Sequence, residues 1–148
     1  MLFRSTTLLD TYGVEPSTIE LEVTESAVMT EPENALHNLN RLHDLGVLIS
    51  IDDFGTGYSY LSYLRQMPIH KLKIDRTFVL EMDSNHGDRI IVESTINLAH
   101  NLGLKVVAEG VENEEVLALL DGLGCDEAQG YYISHPLPVE KLEDWVFK

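Results

Sequence analysis

The chain has 148 residues, and its 25 Asp and Glu against 10 Lys and Arg leave a formal net charge of −15. An acidic excess of that size repels phosphate backbones and anionic lipid, which excludes a sequence-independent grip on a nucleic-acid polymer and an electrostatic membrane clamp. With 44% hydrophobic and 24% charged residues the composition suits a packed core, and the length suits one domain with no second.

Short β-branched runs alternate with helically spaced stretches along the chain. The first run, Ile19–Thr24, leads to a helix predicted over Pro32–Leu45, where Leu36, Leu39, Leu42 and Leu45 recur on one face. The second, Val47–Asp52, is followed by a short helix over Ser59–Arg65, halted by Pro68. The third, Lys71–Asp75, precedes a helix over Asp88–Leu102, and the fourth, Lys105–Glu109, a helix over Asn113–Leu123 that Asn113 caps. The fifth, Glu127–Ile133, precedes a helix over Pro138–Phe147 with proline in its first turn. Repeated βα units build a parallel sheet covered by helices. An open doubly wound sheet and an eight-fold βα barrel both meet that description, and length alone favours the open sheet, since the barrel usually needs about 250 residues.

The single cysteine, Cys125, excludes an internal disulfide and a thiolate zinc cluster, and reads as a small buried hydrophobe. Neither a secretory apolar segment nor 18 consecutive apolar residues occur, so this segment is expected to carry no membrane span and to reside in the reducing cytoplasm. His37, His43, His70, His86 and His100 lack the HExxH spacing of a zinc site and read as surface or satisfied residues.

Each run delivers polar groups near its carboxyl end: Glu22 and Glu25, Asp52 and Asp53, Lys73 and Asp75, Glu109, and Gln129. In parallel α/β folds those ends form the mouth of the active site, and convergence from five strands suits a barrel mouth. Carboxylates so crowded repel unless a cation neutralises them. Mg²⁺ or Mn²⁺ is the natural choice, and the adjacent Asp52 and Asp53 can bind or bridge two ions. Two ions about 3.5–4 Å apart clamp a phosphodiester and ionise a water, with Lys73 as partner to that water or to the phosphate. Taken singly, each acid reads more plainly as a helix cap or a solvated loop residue, and the glycines after Asp53 as a turn; recurrence at five strand ends favours the site.

The segments LEVTES (21–26), IDDFGTGYSYL (51–61), LKID (72–75), VVAEGVE (106–112) and GCDEAQGYYIS (124–134) resemble, in order and spacing, the EAL family of cyclic di-GMP phosphodiesterases. The resemblance implies a TIM-type (β/α)8 barrel of which residues 1–148 supply about five βα units, the C-terminal five-eighths. It also implies hydrolysis of cyclic di-GMP to pGpG with two Mg²⁺ or Mn²⁺ ions. Carried over by motif, Glu22, Asp52, Asp53 and Glu109 would be metal ligands, and Lys73, Gln129 and Asp52 the catalytic group around the attacking water. Glu112, Asp75 and His135 would support substrate binding, and Glu25 would order the loop Phe54–Tyr60.

Three departures accompany the resemblance. Tyr60 stands where the family often has Ser, and His135 where Arg or Lys is common before Pro136, which would make that contact pH-dependent. The Glu-Ala-Leu triplet and the metal-binding Asn that follows it are absent from these 148 residues. The chain is therefore expected to be part of a barrel with open edges and an apolar interior face. Covering them would take self-association into a homo-oligomer or the missing N-terminal barrel half. Little or no phosphodiesterase activity is expected of it alone. The alternative is a catalytically inactive EAL-type binding or interaction module.

Overall fold

The computed structural model describes residues 2–55 and 61–146. Helix α1 (Leu2–Tyr12), which the apolar spacing did not signal, and a 3-10 turn at Pro16–Thr18 lead into strand β1 (Glu20–Thr24). Then follow α2 (Glu25–Thr30), α3 (Pro32–Asp44), β2 (Leu48–Phe54), α4 (Leu61–Leu64), β3 (Lys71–Ile74), α5 (Arg76–Val79) and α6 (His86–Asn101). The chain continues with β4 (Lys105–Glu109), α7 (Glu114–Gly122), β5 (Glu127–Gln129) and α8 (Val139–Val146). Ser59 and Phe147, the outer bounds of two predicted helices, lie outside the described residues.

Local capping sets several of these starts. The Thr24 hydroxyl accepts the Ala27 N–H, so α2 begins at once where β1 ends. Asp75 accepts the Thr77 N–H and ends β3 one residue earlier than the apolar run suggested, while Asn113 accepts the Val116 N–H at 2.7 Å to start α7.

The five strands among the described residues are all parallel, in the order β1-β2-β3-β4-β5. Each strand lies beside its neighbour in sequence, with none of the order reversal that marks a doubly wound sheet. Curvature separates the two architectures further. In a flat sheet β1 and β5 would stand about 19 Å apart, at ~4.8 Å per strand. Yet one nitrogen, Lys71 Nζ on the middle strand, bonds Glu20 of β1 at 3.0 Å and Glu127 of β5 at 2.9 Å. The sheet is curled into a sector of a barrel.

Its two faces differ in chemistry. Ile49, Ile51, Leu72, Ile74, Val106 and Ala108 point outward into the core shared with Leu39 of α3, Val92, Ile96 and Ala99 of α6, and Val116 and Leu120 of α7. Each buried Ile, Leu or Val there contributes about 1.5–3 kcal/mol. The inner face carries Glu20, Glu22, Asp52, Lys71, Lys73, Glu109 and Glu127, joined by ion pairs. The expected apolar interior is thus corrected: the period-2 alternation sends the aliphatic residues under the helices and turns charges inward.

The fifth strand is also shorter than expected, ending at Gln129 rather than Ile133. Beyond it the chain folds against Val111, whose N–H donates to the Gln129 carbonyl and whose carbonyl accepts the Tyr132 N–H. A Cβ on Gly130 would lie 2.1 Å from the Val111 oxygen, so only glycine permits this approach. Tyr131, Tyr132 and Ile133 consequently leave the sheet and are exposed.

Candidate active site

β1, β2, β3 and β4 each send one residue to a common centre at the carboxyl ends of the strands. Lys73 Nζ lies 2.6 Å from Glu22 Oε1, 2.7 Å from Glu109 Oε1 and 3.7 Å from Asp52 Oδ1. The lysine is only 5% exposed. Burial opposes its charge, but the bonds to Glu109 and Glu22 outweigh it and hold the ammonium well above the usual lysine range.

β2 carries a second acid, Asp53, next to Asp52, where its pairing with β3 slips between Ile51 and Phe54, a bulge that inserts one residue. Asp53 sits in the left-handed region at φ 55°, its N–H donating to Asp52 Oδ1 at 2.9 Å. Short acidic side chains tolerate that conformation, at a cost of about 1–3 kcal/mol. Burial, then the charges of Asp52, Asp75 and Glu109, raise the Asp53 pKa. Asp75 moves the other way: burial opposes ionisation there, but hydrogen bonds from Thr77 and Asp53 hold its carboxylate below the ordinary range.

An open cleft of about 180 Å³ adjoins the cluster, lined by Arg76, Glu109, Gly110, Glu112, Gln129 and Tyr131. It gathers Glu112 and Gln129 beside Glu109. His135 joins this cleft through Tyr131, with the two rings stacked at 4.2 Å. Glu25, at the start of α2, is buried and accepts the Gly55 N–H at 3.1 Å, tying the end of β2 to β1. Of the loop Phe54–Tyr60, Phe54 and Gly55 are described and residues 56–60 lie outside the described set.

Sequence reading missed Arg76 and Tyr131 as cleft residues, although they directly follow Asp75 and Gly130 in the motifs quoted. It also missed the second ionic layer, Glu20–Lys71–Glu127, whose signal is the period-2 offset from Glu22, Lys73 and Gln129.

Among the described residues no three His, Cys, Asp or Glu side chains form a ready-made cage for a metal. The carboxylates are spaced around the Lys73 ammonium instead. The donor set still fits hard divalent cations: Glu22, Asp52, Asp53 and Glu109 offer only oxygen, and the three acids around one ammonium leave an excess of negative charge at the mouth.

A parallel βα-barrel sector with its acids and a buried lysine at the strand carboxyl ends defines a barrel of the enzyme type. The family model described as EAL domain matches residues 2–136, and the chain belongs to that family. The cyclic di-GMP phosphodiesterase NbdA of Pseudomonas aeruginosa is 46% identical over 138 residues, which are 93% of this chain and 18% of that protein. Under a fifth of the length of the first curated relatives is spanned. Among solved structures, the PaMucR phosphodiesterase in complex with c-di-GMP superposes with a TM-score of 0.90 at 45% identity, covering 93% of this chain and 56% of that one. Klebsiella pneumoniae BlrP1, solved as a manganese and cyclic di-GMP complex, gives a TM-score of 0.81 at 35% identity, over 89% of this chain and 34% of its own. The fold is therefore that of a TIM-type barrel, of which the chain forms part. No helix among the described residues is long and apolar enough to cross a membrane.

Proposed function

We propose that this chain supplies the downstream part of the active site of a cyclic di-GMP phosphodiesterase, hydrolysing cyclic di-GMP to pGpG. The observation that carries the reading is the convergence of Glu22, Asp52 and Glu109 on Lys73, beside a cleft that holds Gln129. Glu22, Asp52, Asp53 and Glu109 would hold Mg²⁺ or Mn²⁺. Such ions, when bound, supply positive charge against the phosphodiester and lower the pKa of a water.

The chain's own groups then have distinct tasks. Lys73 keeps its proton, donates hydrogen bonds to the carboxylates that flank it, and presents a positive charge at the point where charge develops during attack. Gln129 offers an amide donor and acceptor across the cleft and orients the water. Glu112 accepts hydrogen bonds from the substrate, and Asp75, held by the Thr77 N–H at the end of β3, supports the site from that strand. His135, stacked on Tyr131, adds a contact for phosphate. Glu25 fixes the entry to the loop after Asp53.

The relatives support the substrate class: one is named for cyclic di-GMP hydrolysis, and the PaMucR and BlrP1 structures are complexes with that dinucleotide. The resemblance adds a Glu and an Asn ligand from an upstream segment not among these 148 residues, so the chain by itself turns over substrate slowly or not at all. Among the described residues β1 and β5 each pair on one side only, and we assign to those edges the remaining barrel strands, or else a second copy in a homo-oligomer. The chemistry belongs in the cytoplasm, where Cys125 stays reduced.

Titrating cyclic di-GMP calorimetrically with and without Mn²⁺, and assaying pGpG by chromatography, tests the reading. Metal-dependent nucleotide binding is expected. Indifference to both ligands would favour the interaction-module alternative.

A further inference from the structure

The interior of the sheet holds two stacked layers of similar make-up. In the upper one Lys73 of β3 bonds Glu22 of β1 and Glu109 of β4. In the lower one, two residues earlier on β1 and β3, Lys71 bonds Glu20 of β1 at 3.0 Å and Glu127 of β5 at 2.9 Å. Lys71 occupies the middle strand and holds both outer strands. Its side chain is 19% exposed, so water screens these bonds only in part.

The step from one layer to the next is about 6.6 Å along an extended strand, at ~3.3 Å per residue. Over that distance a strand within a hydrogen-bonded sheet acts as a stiff rod. The separation of β1 and β5 at Glu20 and Glu127 is therefore passed on to Glu22 and Gln129. Without the ammonium, Glu20 and Glu127 would face each other as like charges and push the edges apart.

We propose that Lys71 is a positioning residue, drawing β1 and β5 together beneath the Lys73 cluster and thereby setting how closely Glu22 and Gln129 approach across the mouth. The inference rests on reading that cluster as the phosphodiester site. The signature of this role is that the environment of Lys73, which Lys71 does not bond, depends on the charge at residue 71.

Two readouts test it on the 148-residue chain, with Lys71→Met removing the charge and Lys71→Arg keeping a donor for two carboxylates. The first is the ¹⁵Nζ resonance of Lys73 by NMR. Lys71→Met is expected to shift it and to speed its hydrogen exchange about tenfold, with Lys71→Arg restoring both. The second is Mn²⁺-dependent affinity for cyclic di-GMP, expected to fall about tenfold in Lys71→Met, as for other supporting partners of metal sites, and to recover in Lys71→Arg. A Lys71→Met chain with a lower melting temperature but an unchanged Lys73 resonance would make Lys71 a stabilising residue only and overturn the proposal. Should the unsubstituted chain bind no cyclic di-GMP, the functional reading fails, while the Lys73 resonance still decides the positioning role. If Lys71→Met does not fold, Glu127→Gln removes one arm of the clamp and takes the same resonance readout.

Discussion

Lys73 Nζ, on the middle strand, and Glu109 Oε1, on the next, meet at 2.7 Å, and the same nitrogen reaches Glu22 across two strands at 2.6 Å. A buried cation thus joins three strands at the point where Glu22, Asp52 and Glu109 crowd. Replacing it by Met leaves Glu22, Asp52 and Glu109 without their shared partner. Removing one side of a buried pair costs 3–5 kcal/mol, and the partial exposure of the carboxylates reduces this to about 2 kcal/mol, or about 4–8 °C in melting temperature. If the acids also hold divalent metal, millimolar Mn²⁺ will recover part of that loss in Lys73→Met. Thermal melts in EDTA and in Mn²⁺ check both parts.

Glu25 and Gly55 are 30 residues apart in sequence and joined at 3.1 Å. Glu25→Ala would strip the Gly55 N–H of its acceptor, at a cost of about 1–3 kcal/mol if the amide stays dry. Amide exchange at Gly55 is expected to be at least tenfold faster in the variant than in the unsubstituted chain. An equally slow amide in the variant would remove Glu25 from the ordering of this loop.

Gly130 and Gly122 form a contrasting pair. An added Cβ at Gly130 would collide with Val111 backbone atoms at 2.1 and 2.3 Å, whereas at Gly122 it meets nothing within 4 Å. Gly130→Ala is expected to lose about 3 kcal/mol, because backbone rather than a flexible side chain must move. Gly122→Ala, near the end of α7, is expected to gain about 0.5 kcal/mol from the lower entropy of its unfolded chain. Urea denaturation of the two variants measures the difference, and its absence would mean that the turn after β5 does not press on Val111.

Asp126 Oδ2 accepts the Val106 N–H at 2.8 Å and lies 2.8 Å from His100 Nε2. Burial opposes its charge, but these bonds outweigh it and hold the carboxylate below the ordinary range. A depressed folded pKa stabilises the protein above the unfolded value of about 3.9 and loses that contribution as pH falls through the lower folded value. Asp126→Asn is therefore expected to be less stable than the unsubstituted chain by about 1 kcal/mol at pH 6, after allowance for solvent screening. The gap should close below about pH 4. A gap that widens on acidification would contradict the assignment.

Much of the candidate site is legible in the sequence. The acids and the lysine that meet at the mouth, Glu22, Asp52, Lys73 and Glu109, were marked by lying at the ends of β-branched runs, because in a parallel sheet those ends share one edge. The same position at the end of a run marks Gln129, yet the run predicts a strand four residues longer than the one that forms. Tyr131–Ile133 have the composition of a strand, and the contact that ends it, Gly130 against Val111, joins residues 19 apart in sequence. Asp53 is expected from its sequence position beside Asp52, while the bulge and positive φ at that point follow from pairing with β3.

Composition and periodicity determined the classes of partner excluded by a net charge of −15, the succession of βα units, and the residue types able to bind hard cations. Those properties are local, carried by each segment's own alternation and caps. Tertiary structure decided between an open sheet and a barrel, and it decided which face is charged. Both depend on how far the sheet curls, which is set where Lys71 and Lys73 bring acids from separate strands onto single nitrogens. Contacts of that kind span about 50 residues of sequence, and only the folded chain brings them within hydrogen-bond distance.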